Sequence, residues 1–83
     1  IKDKAFRDVL LSLEASLSNT TSLIKLIEKM IDDEYRKYVS EDLNKAVENL
    51  DHALNYIKLS RDKIDTIFQE KEIKERKKKL GLE

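Results

Sequence analysis

Counted from Phe6, positions 6, 10, 13, 17, 20, 24, 27 and 31 advance in alternating steps of four and three. They hold Phe, Leu, Leu, Leu, Thr, Ile, Ile and Ile. This is a heptad seam, the spacing that puts one column of side chains on one side of an α-helix, with Thr20 as its single polar member. A second seam runs through Leu43, Val47, Leu50, Leu54, Ile57, Arg61, Ile64 and Phe68, broken only by Arg61. Each seam has a flanking column of apolar or small residues: Val9, Ser16, Leu23 and Met30, then Ala46, Ala53, Ser60 and Ile67. The apolar stripe is therefore wider than a two-stranded coiled coil needs and suits helices that each touch two neighbours.

The two seams are out of phase, because the first frame extended forward reaches Lys45 rather than Leu43 or Val47. A break must fall between Ile31 and Leu43. Ser40, followed by Glu41 and Asp42, carries the residue types of a helix N-terminus. That places the bend at Val39–Ser40 and predicts helices over about 3–38 and 41–79, each roughly 55 Å long at 1.5 Å per residue.

The stretch Ser16–Ser22, SLSNTTS, sets a second architecture against the first. Read as a loop at 18–22, it makes a three-helix bundle with two short helices and a long one. Ser, Asn and Thr are weak helix formers and sound N-caps, which favours the loop. Apolar register runs unbroken across the stretch, and hydroxyls can bond back to carbonyls one turn earlier, which favours continuous helix. Folding at Val39–Ser40 also sets Ile31 opposite Val47, Leu13 opposite Ile64 and Leu17 opposite Arg61. The polar exceptions Ser16, Thr20, Ser60 and Arg61 then gather in one polar layer. The expectation is an all-α, single-domain antiparallel hairpin with that layer near its middle.

Composition narrows the class. Among 83 residues there is no proline, one glycine (Gly81), no tryptophan and no cysteine, and 41% are charged. Turn and hairpin markers are missing, so strands find no support. A chain this short buries little apolar surface alone. Val9, Leu23, Met30, Ala46, Ala53 and Ile67 would stay wet in a lone hairpin, and contiguous apolar surface of that size marks an interface. Two hairpins related by a two-fold axis would close a four-helix bundle. A homodimer is expected, with another protein as a further partner class.

Charge adds two ends of opposite sign. Lys plus Arg and Asp plus Glu are both 17, so net charge argues for neither nucleic acid nor an anionic membrane. From Glu28 to Asp51, however, eight acids face four bases, whereas residues 71–83 hold six bases and three acids. Lys74, Lys77, Lys78 and Lys79 suit the negative pole of a helix C-terminus, with Gly81 as its stop. Their alternative use is contact with an anion or nucleic acid, although no aromatic residue is interleaved.

Catalytic chemistry finds no footing. The single histidine, His52, has Glu48 one turn earlier but lies away from the seam and has Asn49 where a Glu-x-x-His metal motif needs Glu. Asp32, Asp33 and Glu34 lack the glycine and alternating ligands of a calcium loop. No nucleophile–base pair or phosphate loop occurs. No cofactor and no metal are expected. With no apolar run near 18 residues and an acidic, amphipathic start, a membrane span and a signal peptide are not expected. The sequence reads as a cytoplasmic, non-enzymatic self-association or protein-interaction module. A small nucleic-acid-associated protein using its basic C-terminal helix end is the alternative.

Overall fold

A computed structural model describes residues 3–81. They form two α-helices, α1 (Asp3–Met30) and α2 (Asp33–Lys79), joined by Ile31 and Asp32. Residues 16–22 lie inside α1, so the three-helix alternative is excluded. The polar stretch is stitched to its own helix. The hydroxyls of Thr20, Thr21 and Ser22 donate to the carbonyls of Ser16, Leu17 and Ser18 at 2.8, 3.1 and 3.2 Å. These bonds offset the low helix propensity of the tract, and the apolar register on either side does the rest.

The bend lies at Ile31–Asp32, not at Val39–Ser40, and both of those residues are within α2. The helix starts instead at Asp32–Glu34, which was not expected to begin it. Asp32 is extended, with φ −65° and ψ 146°, and Asp33 and Glu34 follow in the first turn, where the positive pole of the helix favours them. Arg36 then closes the bend. Its guanidinium donates at 3.1 Å to the carbonyl of Glu28, in the last turn of α1, and to that of Ile31 in the linker, and it pairs with Asp33 at 3.2 Å. Arginine thus supplies what a C-terminal glycine would otherwise provide. Arg36→Ala should cost about 1–2 kcal/mol, the range for bonds from a charged donor discounted for exposure. The check is hydrogen exchange: amides in the last turn of α1 should exchange faster, with those near Leu17 unaffected.

The helices are consequently unequal, at 28 and 47 residues, against the matched lengths expected. At 1.5 Å per residue α2 is about 70 Å long, matching the long dimension of a 72 × 18 × 16 Å rod. α1 lies along the N-terminal part of α2, and residues 69–81 extend past it and are exposed throughout. Residues 33–38 are exposed as well and flank the last turn of α1, which Arg36 contacts. Register shifts with the bend: Arg61 meets Glu14 instead of Leu17, and Asp65 meets Arg7. The offset from the predicted register is about one helical turn.

Candidate interaction surface

The face that α2 turns to α1 is the predicted one, since Leu43, Val47, Leu50, Leu54, Ile57, Arg61, Ile64 and Phe68 are all partly buried. The face of α1 is rotated from the predicted one. Leu10, Leu17, Ile24 and Ile31 turn toward α2 as expected. Their companions are Glu14, Thr21 and Glu28, while Phe6, Leu13, Thr20 and Ile27 are exposed. A polar column at seven-residue spacing therefore lines the contact with α2, and an apolar column looks outward.

Ion pairs account for the rotation. Glu14 is 8% exposed and bonds Arg61 at 3.0 Å, while Arg61 also reaches Asp62 at 3.5 Å. Arg7 grips Asp65 through two of its nitrogens, six residues from the start of the chain. Both pairs form only if α1 turns its Glu14 side inward. The apolar stripe of α1 is too wide for one neighbour to cover, so this rotation leaves part of it outside. Of the expected polar layer, only Arg61 lies inside. Ser16, Thr20 and Ser60 are exposed, and the hydroxyls of Thr20 and Ser60 are spent on carbonyls of their own helix. The inner polar residues are instead Glu14 and Thr21, neither of which was expected in that layer. Their signal was present as the repeat Glu14, Thr21, Glu28, one position beyond the apolar column.

The Arg7 guanidinium, chiefly by hydrogen bonding and against the cost of desolvation, holds the Asp65 carboxyl below its ordinary range. The same bond raises Arg7. Because the folded value is depressed, the pair's contribution is fully present above about pH 4, the ordinary Asp value. It is lost as pH falls through the lower folded value. Asp65→Asn should remove that part of the acid dependence, leaving a flatter stability curve as pH falls below about 4 in denaturant titrations.

Among the described residues no apolar side chain is buried, and the buried residues, Glu14 and Thr21, are polar. Exposed instead are Val9 and Leu23, each 60% accessible, and Met30 at 73%, with Phe6, Leu13 and Ile27 beside them. At 100° per residue this stripe lies roughly a quarter turn from the face on α2. On α2 the column Ala46, Ala53, Ser60 and Ile67 is displaced from its own seam in the matching direction. The first two are half-buried and Ile67 is exposed. Since the helices are antiparallel, the two displacements fall on the same side of the hairpin. One broad face of a two-helix layer is therefore apolar, and the six residues expected at an interface all belong to it.

Other features are dispersed. His52 is exposed, and among the described residues no group of three or more His, Cys, Asp or Glu is placed to hold a metal ion. An open cleft lies at the bend, lined by Lys25, Glu28, Ile31, Arg36, Val39 and Leu43 among others. Lys74, Lys77, Lys78 and Lys79 are exposed on the projecting end of α2. Among the described residues no helix is long and apolar enough to cross a membrane. No known protein family, curated protein or solved structure matches the chain.

Proposed function

We propose that this chain is a non-enzymatic helical self-association module, whose hairpin completes its core by joining a second copy in a four-helix bundle. One observation carries the reading: an apolar face runs the length of α1 while, among the described residues, the hairpin buries no apolar side chain of its own. A two-helix layer keeps its hydrophobic stripe half wet, and a second layer is the simplest cover. Contiguous apolar area of this extent is the mark of an interface rather than of an ordinary surface. As an assembly or adaptor element the module would act by bringing together whatever its two copies carry.

Sedimentation equilibrium of the full chain tests this. The expected result is a mass near twice that of one chain, and a monomer at every concentration up to the millimolar range would overturn the reading. A second use is favoured by one feature, the basic end of α2 standing clear of α1 with its lysines exposed. If it contacts nucleic acid, binding must fall steeply with salt and disappear on changing Lys77, Lys78 and Lys79 to alanine. No binding to duplex or single strands at low salt would dismiss it.

A further inference from the structure

Resting on the self-association reading, we infer that the Glu14–Arg61 and Arg7–Asp65 pairs form a rotational lock, which holds an apolar flank of α1 outside for the second copy. Three columns at seven-residue spacing run side by side on α1. Leu10, Leu17, Ile24 and Ile31 form the middle one, and all four are partly buried against α2. On one side of it run Arg7, Glu14, Thr21 and Glu28, and on the other Phe6, Leu13, Thr20 and Ile27. At 100° per residue the flanks stand about 60° and about 40° to either side, so the middle column can face α2 with either of them. Apolar burial alone favours the second flank, three of whose four members are apolar. The structure turns the first inward. Glu14 and Thr21 are buried and Arg7 and Glu28 half-buried, while Phe6, Leu13 and Ile27 stay 40–50% exposed.

Charge supplies the reason. Arg61 interrupts the apolar seam of α2 and needs an acceptor in a contact that holds little water. Glu14 provides it at 3.0 Å, and Arg7 joins Asp65 one turn further along α2. Turning α1 to bring Leu13 and Ile27 inward would carry Glu14 away from Arg61 and Arg7 away from Asp65. Both pairs therefore favour the facing that leaves Phe6, Leu13 and Ile27 beside Val9, Leu23 and Met30 on the open face. With the other flank inward, that face would narrow to the column of Val9, Ser16, Leu23 and Met30 and offer a second copy much less apolar surface. The four charged side chains are thus positioning residues for the interface, a use to which polar groups in a largely apolar contact are suited.

Reversing one charge and then both tests the lock. Single thiols in this cysteine-free chain report the facing: Thr21→Cys on the inner flank, and Ile24→Cys on the middle column, which stays inside in either facing. Arg61→Glu, added to each, sets two carboxylates against each other. The labelling rate at position 21 and the dissociation constant of the self-associated chain should each rise roughly tenfold or more, with position 24 still protected. Exchanging the charges, Glu14→Arg with Arg61→Glu, should restore both the protection and the association. A thiol at position 21 that stays protected in Arg61→Glu, or an exchange that rescues nothing, would overturn the inference. Equal exposure of positions 21 and 24 would overturn it as well, since that marks unfolding rather than rotation. Exposure of position 21 with undiminished association would overturn it while leaving self-association intact. An unaltered chain that sediments as a monomer would instead remove the reading on which the lock rests.

Discussion

Arg61→Leu should destabilise the protein by about 2–4 kcal/mol, the cost of stranding a buried charge discounted for the partial exposure of Arg61. Glu14 has little access to solvent, and one of its oxygens already lacks a hydrogen-bond partner. Removing Arg61 leaves the whole carboxylate in that position. For a small helical chain, whose total stability is on the order of 5–15 kcal/mol at most, such a loss moves the folding midpoint far. The reverse substitution is milder. After Glu14→Leu, Arg61 keeps Asp62 at 3.5 Å and a quarter of its side chain in water. The double change, Glu14→Leu with Arg61→Leu, should recover most or all of the stability, because leucines continue the neighbouring apolar columns and nothing charged is left dry. Urea unfolding of the three variants tests the asymmetry. Equal losses for both single changes, or a double change worse than either, would show that the pair is not the buried polar contact described.

Leu23→Asp should abolish self-association while leaving α1 and α2 helical. Leu23 is 60% exposed in the hairpin, so its loss removes almost nothing from the contact with α2. In a two-fold dimer the change enters twice. Withdrawing two leucines from an interface costs about 3–6 kcal/mol at the usual value per side chain, before charge repulsion is added. That corresponds to a dissociation constant raised by roughly 10² to 10⁴. Sedimentation should then give one chain mass, with the helical circular dichroism signal at high concentration reduced only as far as the dimer had supported it. Leu59→Asp is a control, since Leu59 is exposed on the side of α2 away from the proposed interface. Dissociation by Leu59→Asp and not by Leu23→Asp would move the interface to the other side of the rod.

Much of the architecture is legible without coordinates. Two out-of-phase heptad seams require two helices with a break between Ile31 and Leu43, and the break falls at the first residues of that interval. Continuity through Ser16–Ser22 follows from the register of Leu10, Leu17 and Ile24 on either side, which a loop would have no cause to preserve. The α2 seam from Leu43 to Phe68 also faces as its spacing implies. These features are local: they depend on 3.6 residues per turn and on which residues avoid water, and both are properties of the chain itself.

The position of the bend and the rotation of α1 were decided in three dimensions. Asp32 and Ser40 were both competent to begin a helix, and propensity alone does not separate them. Arg36 does, by reaching back to the carbonyls of Glu28 and Ile31, a contact that exists only once the chain has turned. Three apolar columns on α1 likewise admit several facings. The chosen one satisfies Glu14 with Arg61 and Asp65 with Arg7, residues 47 and 58 positions apart. Charge pairs between distant residues carry no period that a single strand of sequence displays. Glu14, only 8% exposed, is the costly one to leave unpaired, which favours the facing that brings it to Arg61.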